Sequence, residues 1–174
     1  GRDSVTLVYL VEPLGFWDAA AFSVFARILS GSMASPLFQE LREKLGLVYE
    51  LDLTFSERGP DYSYFYFHCP TNRRNFGNAG SIFRRVLESL ASDTIVRGHR
   101  MIQRRRRLEF TNPIDACHRL GADYDAVSDL ARWGRPISFG DIASVEDALT
   151  PDDFFRVQRF LLEREPLAIE ITTD

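Results

Sequence analysis

The stretch ILSGSMASPLFQELREKLGLVY, residues 28–49, decides how this chain is read. Ile28 and Leu29 close a run in which Trp17, Ala20, Ala21, Val24 and Phe25 recur at helical spacing, with Phe22 widening the stripe. That run predicts a helix buried on more than one side. Ser30-Gly31-Ser32-Met33-Ala34 is a loop of small residues. Ser35-Pro36 reads as a helix N-cap followed by proline at the first helical position, where a missing N–H costs nothing. Leu37, Phe38, Leu41 and Leu45 form the apolar stripe of that short helix, and Gly46 is its C-terminal stop. From Leu47 the period changes to two. Leu47, Tyr49, Leu51, Leu53 and Phe55 share one face, and Val48, Glu50, Asp52 and Thr54 the other, which predicts a strand.

Outward from this segment the pattern alternates between strands and helices. Val5 to Val11 is an apolar strand stopped by Glu12-Pro13. Glu57-Arg58-Gly59-Pro60-Asp61 is a turn, and Tyr62 to Cys69 a strand antiparallel to the Leu47–Phe55 strand. Asn75 caps a helix with Phe76, Ala79, Phe83, Val86, Leu87 and Leu90 on one side. Further helix is expected from about Asp93 to Phe110 and from Asp115 to about Trp133, divided by Asn112-Pro113. Thr150-Pro151-Asp152-Asp153 opens another helix, backed by Phe154, Val157 and Leu161, and Leu167 to Thr172 ends the pattern as a strand. No repeat or linker divides the chain, so residues 1–174 are expected to form a single domain. The economical packing is α+β: a mostly antiparallel sheet covered on one face by helices.

Composition narrows the function classes. With 174 residues the chain can bury a sizeable core. A net charge of −4 supplies no global field toward nucleic acid or an anionic membrane. Lys44 is the only lysine, a bias that reads as genome composition. Cys69 and Cys117 make no disulfide framework and leave the compartment open. No apolar run approaches the roughly 18 residues of a membrane span. The start at Gly1-Arg2-Asp3, without an initiator methionine, fits either a trimmed chain or a domain cut from a longer precursor.

His68, His99 and His118 stand far apart, and neither H-x-x-E-H nor H-E-x-x-H occurs. A composite zinc site from His68-Cys69 and Cys117-His118 is disfavoured, because neighbours on a strand point to opposite faces. The Arg104–Arg107 cluster, with His99 and Arg100, surrounds its helix axis at about 100° per residue, so at most two of its members share a side. That fits a solvated helix or one edge of a charged wall better than a nucleic-acid stripe. Ser4 and Ser23 have no histidine–acid partners at a recognisable spacing.

Residues 28–49 closely resemble the signature region of the second, non-zinc-binding domain of pitrilysin/insulinase-family zinc peptidases and their processing-peptidase relatives. The matching elements are Ile28-Leu29, Gly31, Met33, Ser35, Leu37-Phe38-Gln39, Leu41-Arg42-Glu43-Lys44, Gly46-Leu47 and Tyr49. The order of the remaining elements agrees, including the Thr150-Pro151-Asp152-Asp153 helix start and terminal strand. The resemblance implies a two-part active site. One domain carries zinc on an H-x-x-E-H motif, and its sister, of the same fold, supplies an arginine and a tyrosine seven residues apart. Arg42 and Tyr49 have that spacing, and Gly31, Ser32, Met33 and Ser35 form the supporting loop. A tyrosine hydroxyl and a guanidinium are suitable donors to an oxyanion and to substrate carbonyls. Tyr49 is therefore expected at the oxyanion or an adjacent carbonyl, with Arg42 orienting the substrate backbone. This domain is expected to bind no cofactor of its own, with zinc in its partner. The expected partners are a peptide and a zinc-bearing sister domain, from the same precursor or a neighbouring subunit. No nucleic acid and no membrane span are expected, and a homodimer is open to the isolated domain. Such a precursor would carry H-x-x-E-H about one domain length before Gly1.

Two positions depart from the family pattern. Ser32 follows Gly31 where consecutive glycines are common, and Pro36 stands where arginine is frequent. Both keep a second reading open, that of a non-catalytic scaffold or peptide-binding homologue.

Overall fold

The computed structural model describes residues 3–48, 50–57, 63–109, 133–134 and 139–173. Four strands, β1 (Ser4–Val11), β2 (Asp52–Glu57), β3 (Ser63–Pro70) and β4 (Leu167–Ile171), form one sheet in the order β2-β3-β1-β4. Every pairing is antiparallel, with Leu7 opposite Phe67 and Ala168, and Leu53 opposite Phe67. Among the described residues the α-helices are α1 (Phe16–Ser30), α2 (Pro36–Phe38), α3 (Phe76–Glu88), α4 (Ser92–Glu109), α5 (Phe139–Ala148) and α6 (Pro151–Glu163). This is the α+β architecture expected of the sequence. The helix α5 had no counterpart in the sequence reading. The expected helix from Asp115, the Asn112-Pro113 break, Cys117, His118 and the turn residues Arg58 to Tyr62 lie outside the described residues.

Alternation places the core. Val5, Leu7, Tyr9 and Val11 on β1 and Phe65, Phe67 and Cys69 on β3 are buried on the helix-covered face. Phe83 of α3 stacks on Phe67 at 4.9 Å, and Phe22 of α1 meets Phe55, Phe65 and Phe160 edge-on or tilted at 5.2–6.1 Å. Such ring pairs add stabilisation of about 1 kcal/mol beyond burial. The opposite face carries Leu10, Leu167, Ile169 and Ile171, all exposed.

Three expectations needed correction. Of the predicted 47–55 strand only residues 52–55 pair with a neighbour among the described residues, β2 running on to Glu57, and Val48 is buried although the alternation assigned it to the polar face. The β2–β3 ladder ends with Asp52 opposite His68, two residues before Pro70, which has no N–H to donate. Leu45 is 43% exposed instead of joining Leu37 and Leu41 in the core. Gln39–Lys44 winds as a π-helical turn, so a residue four positions after Leu41 rotates off its face. Gly46, at φ +60°, then reverses the chain and lets Leu47 N–H reach Leu41 O at 2.9 Å. Trp17 likewise leaves the core stripe, 41% exposed, with its Nε1 donating to Asp153 at 3.0 Å.

Candidate functional site: the Gly31–Lys44 loop and turn

The loop begins where α1 stops. Gly31 N–H closes on Arg27 O at 2.8 Å, and a Cβ at Gly31 would lie 2.5 Å from that same oxygen. Glycine is therefore required sterically. Ser35 N–H bonds Ser32 O at 3.0 Å, while Ser35 Oγ accepts from Ser32 N–H at 2.9 Å and lies 3.1 Å from Ser32 Oγ. Ser35 stands at the N-cap of α2 as expected, but its hydroxyl holds the loop and does not cap the helix. Pro36 at the first helical position fits without strain, and Ser35 O still accepts Gln39 N–H at 3.0 Å. Ser32, one of the two departures from the family pattern, thus closes the loop with Ser35.

The π-helical turn carries the charged side chains. Leu41 is fully buried and anchors it. Arg42 reaches back to the loop, with Nη1 3.3 Å from Met33 Sδ, and Gln39 Nε2 donates to Met33 O at 2.8 Å. Arg42 Nε also lies 3.7 Å from Glu43 Oε1, and its side chain is 29% exposed. The structure thus brings Arg42, Gly31, Ser32, Met33 and Ser35 into one unit. Tyr49 lies outside the described residues, so its distance to Arg42 is not part of that geometry.

Gly31, Ser32, Ser35 and Gln39 also line a cavity of about 1200 Å³ between the loop, the turn and helices α1, α3, α4 and α5. Sequence reasoning missed this cavity. Its signal was present at Arg97, Met101 and Arg105, spaced four residues apart on one face of α4. Arg105 and Arg106 of the arginine cluster line it, in line with the expectation that at most two could share a side. Glu40 accepts from Lys44 at 2.8 Å and from Arg85 at 2.9 Å. The Lys44 bond, opposed by partial desolvation and aided by Arg85, holds the Glu40 carboxyl below its ordinary value. Glu146 of α5 is buried and bonds Arg27 and Arg106, the latter at 2.5 Å, while Arg106 also bonds Asp147. His99 Nε2 stands 2.7 Å from Glu146 O, and since a carbonyl only accepts, that nitrogen carries the proton.

Among the described residues no group of three or more His, Cys, Asp or Glu side chains could hold a metal ion. Cys69 is fully buried on the core face, and His68, on the outer face, lies 2.8 Å from Thr6 Oγ1. These adjacent side chains diverge as expected of a strand.

Residues 2–96, more than half of the chain and including the whole loop and turn, match the family model described as the Peptidase M16 inactive domain. The chain belongs to that family. A Streptomyces coelicolor protein named as an uncharacterized zinc protease is 29% identical over 151 residues, 84% of this chain and 31% of the relative. The chain thus spans about a third of that relative's length. A protease from Helicobacter pylori superposes with a TM-score of 0.73 at 16% identity, covering 99% of this chain and 41% of the other. An M16 inactive domain from Pseudomonas fluorescens gives 0.68 at 19%, covering 97% and 40%. The inactive peptidase domain of a putative zinc protease from Bordetella parapertussis gives 0.66 at 14%, covering 99% and 93%. At these identities the superpositions show the M16 fold, and the family model carries the assignment.

Proposed function

We propose that this M16 inactive domain is the substrate-facing half of a zinc metalloendopeptidase, holding an extended peptide opposite a separate H-x-x-E-H domain. The observation that supports it is the family match across the segment that bears Arg42 and Tyr49, with Arg42 seated against the Met33 loop. In this reading residues 1–174 act as one domain, paired with a zinc-bearing sister from the same precursor or a neighbouring subunit. Zinc held in that sister would supply a water of lowered pKa and a Lewis acid for the scissile carbonyl. Arg42 donates to substrate carbonyls and fixes the register of the peptide, while the Tyr49 hydroxyl donates to the developing oxyanion. The Gly31–Ser35 loop, tied by its serine hydroxyls, holds Met33, against which Arg42 is seated.

Reconstitution with the zinc-bearing domain tests this. Tyr49→Phe should lower kcat about 100-fold or more, the magnitude typical of a lost oxyanion donor. Unchanged turnover by folded Tyr49→Phe would reject the catalytic role. The second reading, a non-catalytic scaffold or peptide-binding homologue, draws on Ser32 and Pro36, which depart from the family pattern at the loop itself.

A further inference from the structure

The chain carries a net charge of −4, yet the described lining of this cavity holds six cations and two carboxylates. The cations are Arg27, Lys44, Arg85, Arg97, Arg105 and Arg106. Glu40 and Glu146 each bridge two of them, so neither carboxylate is left facing the cavity unpaired. Arg97, exposed on α4, makes no hydrogen bond or ion pair with the other described residues. Arg27 Nε is a buried donor without a described partner. Low-dielectric walls around such an excess concentrate the positive potential.

The floor is apolar. Ile28 and Leu90 are buried beneath it, Ile102 is half-buried, and Met101 is 50% exposed. At about 1200 Å³ the cavity exceeds the roughly 300–1,000 Å³ of ordinary small-ligand sites. A compact anion would satisfy the guanidinium forks but leave the floor wet. A peptide segment alternating carboxylates with apolar side chains would cover both, since arginine forks match carboxylates and the floor takes the aliphatic groups.

We propose that this cavity is a binding site for an acidic, partly apolar peptide segment, and that it selects substrates bearing glutamate or aspartate. This rests on the peptide-holding reading above and names its substrate class. Gly31, Ser32, Ser35 and Gln39 line the cavity while Met33, in the same loop, touches Arg42. A peptide engaged by Arg42 would therefore have its flanking residues within reach of the cationic wall.

The test is direct binding to this chain alone, read by fluorescence anisotropy of a labelled peptide of glutamates spaced by leucines. The expected result is saturable binding that weakens with added salt, and at least tenfold weaker binding of the same peptide with lysine for every glutamate. Arg97→Glu should raise Kd at least tenfold and Arg97→Gln by less, with unchanged circular dichroism. Arg159→Glu, exposed on α6 and outside the cavity, should leave Kd unchanged. Equal binding of the lysine peptide, or a Kd indifferent to both Arg97 variants, would overturn the proposal. Tighter binding of inorganic tripolyphosphate, lost in Arg97→Glu, would overturn it in favour of a phosphate-bearing ligand. Since no hydrolysis is measured, failure here is separate from failure of the Tyr49 turnover test.

Discussion

Asp153 shows how much one side chain can fix. It closes a capping box with Thr150, whose N–H and Oγ1 both lie 2.7 Å from its Oδ2, and its Oδ1 accepts from Trp17 and Arg156. Burial alone would raise this carboxyl, but the bonds from Trp17, Thr150 and Arg156 outweigh it and bring the group from 3.8 to about 2. A carboxyl depressed in the folded state contributes stability above its unfolded pKa and loses it as pH falls through the folded value. The contribution, about 2 kcal/mol, should be complete above about pH 4 and vanish near pH 2. Asp153→Asn should cost about 1–3 kcal/mol at pH 7 and flatten the acid dependence below pH 4, measured by urea unfolding at each pH. Thr150-Pro151-Asp152-Asp153 was legible as a helix start because capping is local chemistry. The Trp17 partner was not, because its 136-residue separation exists only after folding.

Helix crossings depend on single atoms in the same way. A Cβ at Gly98 of α4 would lie 2.9 Å from Ile28 Cγ2, so glycine sets how closely α4 approaches α1. Ile28 is a buried, β-branched side chain with little room to give. Gly98→Ala gains helix propensity of about 1 kcal/mol but overpacks the crossing by about 1–3, so a net loss is expected. Chemical denaturation of Gly98→Ala, Ile28→Ala and the double variant should show the two costs to be sub-additive. The buried Glu146 pins α5 to α1 and α4 through Arg27 and Arg106. Glu146→Gln removes the buried carboxylate shared by Arg27 and Arg106, leaving Arg106 only its Asp147 partner, and should cost roughly 3 kcal/mol in the same assay.

At the scale of the molecule, one sheet face is sealed and the other open. Cys69 is fully buried on the sealed face, and burial pushes its thiol up to about 12. Neither access nor thiolate is available in the native state, so alkylation of Cys69 at pH 8 should proceed at the rate of global unfolding. Peptide mapping separates it from Cys117, and labelling of Cys69 within minutes without denaturant would contradict the sealed core. The sealed face was legible in part. The apolar run Val5 to Val11 and the segment Tyr62 to Cys69 after its turn named two of its strands, and the helical stripes named most of its cover. Leu47 to Phe55 misled because a period of two says which side chains could share a face, but not whether a partner backbone lies opposite.

The sequence by itself determined the family, the α+β class, and the loop and turn that carry Arg42, because these rest on local chemistry: small residues, caps, periodicity and a motif of fixed spacing. Tertiary structure alone decided the seat of Arg42 against Met33 and the π-helical winding that turns Leu45 outward. It also decided the cationic cavity, whose wall gathers Arg27, Arg85, Arg97 and Arg105 from three helices. Charges far apart in the chain add to one field only when packing brings their helices together.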